Sequence, residues 1–207
     1  MTRIALLIAD SHFDDGPSAQ TRFGSAPSVE AGFSWPVCKS CKSNMQFLGQ
    51  IRRPDSGRLT QVFMCDNEHS SCQTWEADGG ANAVLCMNAD GDLRLADIPV
   101  EGKTVRPVLY GVHIEYVEAS DYEAACRTWK DGNAGRGRDV LGQISTEACW
   151  LQGDETPNCD HCHRPMRLLA QLERGRDYTT EMNFAGGCGY VFECDCAGGV
   201  GKFLWQS

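Results

Sequence analysis

Two sets of cysteines have the type and spacing that metal binding requires. Each set opens with a Cys-x-x-Cys pair, at Cys38 and at Cys159, and two further cysteines follow in the same half of the chain. Zinc prefers four soft ligands in a tetrahedron, of which a tight Cys-x-x-Cys turn supplies two and a returning strand the other two. The pattern therefore predicts two zinc ions per chain. The predicted ligands are Cys38, Cys41, Cys65, Cys72, Cys159, Cys162, Cys194 and Cys196.

The sequence around the first set recurs around the second, so the chain looks like one unit written twice. Each repeat is too small to bury a large core alone, and we expect the metal to contribute directly to folding. The matched pairs include Pro36/Pro157, Met45/Met166, Leu48/Leu169, Gln50/Gln171, Phe63/Phe192 and Trp75/Trp205.

Several ligand assignments stay open. The period of two in a strand places Cys194 and Cys196 on one face, and Cys188 shares that parity and could replace Cys196. Iron is a lesser alternative, because a rubredoxin-type pair usually carries glycine where this chain has Lys42 and His163. Three histidines lie among the ligands and are either substitutes for a thiol or exposed polar residues: His69, His161 and His163. Three unmatched cysteines are predicted to be small buried apolar residues: Cys86, Cys126 and Cys149.

Composition restricts the partner and the compartment. The net charge is −9, and neither half has the basic face that nucleic-acid binding usually needs. Two four-thiolate zinc sites would add about four further negative charges, which favours a basic protein partner or simply solubility. The apolar run at the N-terminus is too short for a signal peptide, and nothing approaches a membrane span. We therefore expect a cytoplasmic protein with reduced thiols.

The hydrophobic pattern predicts an α+β, predominantly β fold made of two tandem pseudo-symmetric zinc-binding repeats with few helices. We divide the chain into a first β-rich zinc repeat (1–107), a bridging strand, helix and linker (108–140), and a second β-rich zinc repeat (141–207). Ser120 should cap the bridging helix, with Glu123 completing a capping box. Turn residues at 54–57 should close the first hairpin. Strands are expected at 4–9, 45–51, 59–65, 83–87, 108–117, 166–172, 189–194 and 202–205.

The best case for an enzyme is His113-x-Glu115, which would serve a deaminase-like, zinc-dependent hydrolase if a later Cys-x-x-Cys held the metal. Such chemistry needs an open coordination position, whereas each cysteine pair here already has two more cysteines to close its site. His113 and Glu115 also lie in a strand-like alternation, where the deaminase motif opens a helix. The sequence favours a non-enzymatic protein, with the hydrolase as the alternative.

The motif Trp35-Pro36-x-Cys38-x-x-Cys41, continued by Met45-x-Phe47-Leu48-x-Gln50-Ile51, and its second copy resemble the YwqG-like proteins. They are also similar to the related programmed cell death protein 2 group. The resemblance implies two similar β-rich halves related by a pseudo-twofold axis and a protein-binding role, either as an escort of a ribosomal protein or as an immunity or antitoxin protein. This chain differs from the metal-free relatives because it carries both cysteine sets.

Carboxylates cluster near the expected seam between the halves. A groove wall of this charge would steer a basic partner and raise its association rate more than its affinity. The alternative is an ordinary solvated face. The residues are Glu115, Glu118, Asp121 and Glu123.

Overall fold

The computed structural model describes residues 1–13, 15–54, 56–66, 72–196 and 200–207. The fold is α+β and predominantly β, as the sequence predicts. A helix, α1 (Tyr122–Gly132), and a short 3-10 turn, Gly137–Asp139, accompany the strands. The strands are β1 (Thr2–Asp10), β2 (Arg22–Gly24), β3 (Ser28–Val29), β4 (Gln46–Arg52), β5 (Arg58–Met64), β6 (Asn82–Asn88), β7 (Arg94–Leu95), β8 (Leu109–Ala119), β9 (Val140–Ile144), β10 (Arg167–Leu172), β11 (Cys188–Glu193) and β12 (Val200–Gln206).

Ten of these strands close into one barrel, in the order β1-β8-β2-β4-β5-β6-β12-β11-β10-β9, while β3 and β7 form a small separate sheet. Alternate residues along each strand point into the barrel, where apolar side chains fill it as a packed core. Leu7, Leu48, Val62, Val191 and Phe203 belong to this central cluster. All strand pairs of the barrel are antiparallel.

The barrel order shows an exchange of first strands between the two similar halves. The strands β2, β4, β5 and β6 follow one another on one side, and β9, β10, β11 and β12 do so on the other. The strand β1, which precedes β2 in the chain, instead lies between β8 and β9, and β8 lies between β1 and β2. Residues from all three predicted segments therefore build one barrel.

The outer face of the barrel is covered in three places. The helix α1 packs Tyr122, Ala125 and Trp129 over β1, β8 and the start of β9. The two cysteine sets cover the others, the first over β4, β5 and β6, the second over β10, β11 and β12. Because both faces of β5 are covered, every residue from Leu59 to Met64 is buried.

The predicted strands all occur, but three local predictions were wrong. Asp121, not Ser120, caps α1, and its carboxylate accepts from the Ala124 N–H at 2.8 Å, so Glu123 completes no capping box. Cys194 and Cys196 follow the end of β11 and do not share a strand face. The strands β2, β3, β7 and β9 fall in stretches where no strand was predicted.

Two sequence predictions fall partly or wholly on residues outside the described ranges: His69, and residue 55 of the predicted turn. In the part of the chain that the structure describes, no helix has the length and apolar character to cross a membrane.

Candidate metal centres

The Cys38 pair is held in a tight turn by three backbone hydrogen bonds. The Cys38 N–H donates to the Ser43 carbonyl at 2.9 Å, and the Lys42 N–H donates to the Cys38 carbonyl at 3.0 Å. The Met45 N–H then bonds the Pro36 carbonyl at 2.9 Å, which closes the turn onto the start of β4. Lys42 adopts a left-handed φ of 63°, the conformation that glycine normally supplies.

The Cys159 pair is held by the same three bonds in the same order. The Cys159 N–H donates to the Arg164 carbonyl at 2.9 Å, and the His163 N–H donates to the Cys159 carbonyl at 2.8 Å. The Met166 N–H closes the turn onto the Pro157 carbonyl at 2.9 Å. His163, with φ 57°, takes the left-handed position. The repeat seen in the sequence is therefore a repeat of backbone geometry.

Each turn brings its two thiols to the two cysteines that follow the return strand. In the first set the Cys38 and Cys72 sulfur atoms lie 3.7 Å apart, and those of Cys41 and Cys65 lie 3.6 Å apart. A tetrahedral zinc ion with bonds of about 2.3 Å separates its sulfur ligands by about 3.8 Å. The four sulfur atoms all lie within 4.8 Å of one another, so this set could hold one metal ion.

The second set repeats these distances. The Cys159 and Cys196 sulfur atoms lie 3.6 Å apart, and those of Cys162 and Cys194 lie 3.5 Å apart. All four again lie within 4.8 Å of one another. The structure thus brings together all eight cysteines predicted from the sequence, in the two predicted sets.

Hydrogen bonds from the turns favour the thiolate at Cys41 in the first pair and at both cysteines, Cys159 and Cys162, in the second. Burial opposes ionisation of Cys41, but the Ser43 N–H and hydroxyl and the neighbouring thiols outweigh it and lower its pKa to about 6. At Cys162, the N–H and the side chain of Arg164 lower the pKa to about 6. By contrast, burial and the adjoining thiols raise the pKa of Cys72. Four thiolates this close repel one another, and a dication removes that repulsion.

Each set lies on a hydrophobic cluster that the barrel presents on its outer face. Cys38, Cys65 and Cys72 pack with Phe47 and Phe63. In the second half, Cys159 and Cys194 pack with Leu168, Tyr190 and Phe192. The ligands are therefore part of two apolar clusters that cover the barrel.

Buried Lys202 joins the second site to the first half of the chain. Its ammonium group contacts Asp160, inside the second Cys-x-x-Cys turn, at 2.6 Å, and it also contacts Asp78, which follows the first set. The bond from Lys202 lowers the pKa of Asp160. The centres of the Trp75 and Trp205 rings lie 6.4 Å apart. Nothing in the sequence pattern marked Lys202 as a link between the sites.

Two buried glutamines hold the loops beside the sites. The Gln50 side chain accepts from the Ser28 N–H at 3.0 Å, and the Gln171 side chain accepts from the Cys149 N–H at 2.9 Å. These residues occupy equivalent positions in the repeat. Their recurrence in the sequence is the signal that could have identified this loop-holding role.

The alternative ligands lie outside both groups. Cys188 is buried against the Tyr190 hydroxyl, 3.3 Å away. His161 and His163 are exposed. Among the described residues, only the two cysteine sets place three or more potential ligands close enough for a metal, and neither contains a histidine. The unmatched cysteines are half-buried, where full burial was expected: Cys86, Cys126 and Cys149.

The two residues on which the hydrolase alternative rests, His113 and Glu115, contact each other, and Glu115 also contacts the helix α1. His113 contacts the Glu115 carboxylate at 2.9 Å, and that carboxylate also accepts from the indole N–H of buried Trp129 at 2.7 Å. Neither His113 nor Glu115 belongs to a cysteine set.

Comparison with models of protein families and with curated proteins gives no match. The resemblance to YwqG-like proteins therefore stays a prediction that rests on the motifs quoted above.

Proposed function

We propose that this chain is a non-enzymatic protein-binding module stabilised by two zinc ions, and that it binds a basic protein. The observation that carries the proposal is the closure of both sites by four cysteines each. A site with four protein ligands leaves no position for water or substrate, which is the arrangement of structural zinc. What such a protein offers is a rigid surface.

The donor set supports a soft metal such as zinc. Soft thiolates select zinc or iron over magnesium and calcium, and the sulfur separations of 3.5 to 3.7 Å fit tetrahedral coordination. Elemental analysis of the purified chain should find about two zinc per chain, and X-ray absorption should find four sulfur neighbours at about 2.3 Å. Nitrogen or oxygen in the coordination shell would instead favour an open, hydrolytic site and the deaminase-like alternative.

The charge of the chain supports a basic partner. The net charge is −9, and two dications bound by eight thiolates would make it about four units more negative. Of the clustered carboxylates, Glu115 is committed to Trp129 and Asp121 caps α1. Glu118 and Glu123 are exposed, and the contact of Glu123 with Arg127 at 3.5 Å is an exposed ion pair of the weak kind, so they are the better candidates to steer a partner.

The test begins with capture of partners from the native host by the zinc-loaded chain. Association of an identified partner should slow markedly as salt rises, because screening weakens steering between exposed charges. Charge reversal by Glu118→Lys with Glu123→Lys should slow it too, without change in zinc content. The matched control is Asp90→Lys with Asp92→Lys, the same change in charge at two exposed carboxylates after β6. If neither added salt nor the paired charge reversal changes the association rate, the acidic residues serve only solubility.

The identity of the partner separates the two roles that the family resemblance suggests. A newly made ribosomal protein among the captured chains would support an escort role. A toxin, released from inhibition when the zinc-loaded chain is withdrawn, would support an immunity or antitoxin role.

A further inference from the structure

In the first half of the barrel, a segment of the chain covers the edge of β4. Val105 forms a parallel bridge with Phe47, and the Phe47 N–H donates to the Thr104 carbonyl at 2.8 Å. Thr104 and Arg106 are buried in this position. The segment lies just before β8 in the chain, and it reaches β4 beyond the pairs that β4 makes with the short β2.

In the second half, the equivalent edge borders an open cleft. Leu168 corresponds to Phe47 in the repeat, and both precede the same register shift, at Phe47/Gly49 in β4 and at Leu168/Ala170 in β10. The cleft holds about 440 Å³ between the start of β1, the end of β9 with its following turn, and β10. Within the described part of the chain, Leu168 makes no bridge outside the strands like that of Phe47.

The arginines of the cleft and Glu193 already have partners, and the remaining charged residue of its lining, Glu147, is exposed. Arg53 pairs with Glu193 at 3.1 Å, Arg167 contacts Asp195 at 3.4 Å, and the Arg3 guanidinium lies 3.8 Å from the centre of a tyrosine ring. An occupant therefore need not bring a negative charge to the arginines. Recognition falls to the main chain and to apolar contacts.

Apolar side chains lie on both faces of this edge of β10. Ala5, Ile144 and Leu169 line the cleft beside the backbone of Leu168, whose own side chain belongs to the second metal-site cluster. In the first half, the residue that bridges β4 is Val105, itself β-branched. Such residues favour extended backbone.

We propose that this cleft binds an extended segment of the partner protein, with an uncharged β-branched residue at its centre, which adds to the edge of β10 as residues 104–106 add to β4. A carbonyl of the segment accepts from the Leu168 N–H. The central side chain of the segment then lies on the same face as the Leu168 side chain, and the side chains on either side of it face Ile144 and Leu169. Main-chain hydrogen bonds supply affinity in such strand addition, and side-chain contacts supply specificity. The inference rests on the protein-binding function proposed above and assigns the binding of the partner to this cleft.

The test uses a capped peptide that copies residues 102–107, Gly-Lys-Thr-Val-Arg-Pro, titrated to millimolar concentration into the ¹⁵N-labelled, zinc-loaded full chain. Saturable shifts should appear at the amides of Ile144, Leu168 and Leu169. Hydrogen exchange at Leu168 should slow by about tenfold or more at saturation, because the amide becomes hydrogen-bonded. The same peptide with an N-methylated arginine should bind at least about tenfold more weakly, because a parallel bridge needs that N–H.

Two variants localise the effect. Thr146→Trp places a large side chain at the exposed rim of the cleft and should abolish the shifts. Val100→Trp changes a fully exposed residue outside the cleft and should leave them unchanged. Shifts that survive Thr146→Trp, or that centre on Phe47 because the peptide displaces the chain's own segment, would overturn the proposal.

The partner captured by the zinc-loaded chain gives an independent result. Its affinity should fall at least about tenfold with Thr146→Trp and stay unchanged with Val100→Trp. A partner that binds both variants equally would refute the cleft and leave the protein-binding function standing. Open or non-sulfur metal sites would refute the proposed function, whatever the peptide does.

Discussion

A buried ion pair at the end of the barrel gives the sharpest test of the packing. Arg53 and Glu193 lie 3.1 Å apart, with side chains 9% and 1% exposed, and Thr60 also donates to the Glu193 carboxylate. In the repeat, the position of Glu193 is held in the first half by Met64, which packs in the central cluster. The same position of the repeat therefore carries an apolar side chain, Met64, in the first half and a charged one, Glu193, in the second.

Replacing Arg53 by methionine should leave the Glu193 carboxylate buried without its counter-charge. Loss of one partner of a buried pair costs about 3–5 kcal/mol of unfolding free energy. An attraction of about 5 kcal/mol follows for two charges at this separation with an effective dielectric constant of about 20. The double variant Arg53→Met with Glu193→Met should recover most of the loss, because it removes both charges and places at position 193 the side chain that Met64 supplies in the first half.

Urea unfolding at fixed free zinc measures these changes, since bound metal otherwise shifts the apparent stability. Arg167→Met is the matched control, because it breaks an exposed contact. The Arg167 side chain is 39% exposed and that of its partner Asp195 is 69% exposed. Such a pair contributes less than about 1 kcal/mol. The reasoning fails if Arg53→Met costs no more than Arg167→Met, or if the double variant is as unstable as the single one.

Three further predictions test the site and the barrel. His163 has a positive φ, a strained conformation for a residue other than glycine. His163→Gly should therefore stabilise the zinc-loaded chain by up to about 1 kcal/mol in urea unfolding, whereas His163→Val should destabilise it by about 1–2 kcal/mol. Equal effects of the two variants would contradict this backbone strain. Hydrogen bonds from His113 and the Trp129 indole hold the pKa of Glu115 below its ordinary 4.5, so its contribution to stability is full above pH 4.5 and is lost as pH falls through the lower folded value. NMR titration of the carboxyl should show this midpoint, and His113→Asn should raise it; an unchanged midpoint would remove His113 as the cause. A fragment of residues 108–207 should stay unfolded by circular dichroism even with zinc, because β8 lacks both of its neighbours, β1 and β2; a cooperative melt would contradict this.

The sequence was sufficient for the metal-site geometry because that information is local. A tight turn, a strand, a hairpin and a returning strand lie within a short stretch, so recurrence of Cys, Pro, Met and Gln marks the unit. The reason given for the last ligands was nevertheless wrong. Cys196 reaches the site from a loop after β11, where the Cys196 N–H also contacts the Cys194 sulfur at 3.4 Å.

The strand β2 shows why the hydrophobic pattern missed the shortest strands. Its first residue, Arg22, is fully buried, whereas a charged residue in a polar stretch predicts a loop. The guanidinium donates to the Gly16 and Ala26 carbonyls and to the Ser28 hydroxyl, at 2.8–3.0 Å. A buried charge that the surrounding loop satisfies is thus an organising centre, and it leaves no periodic signal.

The exchange of first strands has no local signal either, and it changes what the metal must do. We expected two small repeats, each dependent on zinc for its fold. The central cluster is instead shared by both halves, joining Leu7 of β1 to Phe203 of β12, and it contains no cysteine, while Cys38 and Cys159 lie in separate outer clusters. Loss of metal should therefore act first on these outer clusters and on the Lys202 link between them. Of the strand pairs that hold the halves together, β1–β8 and β8–β2 lie under neither set of thiols, whereas β6–β12 joins strands that the two sets cover.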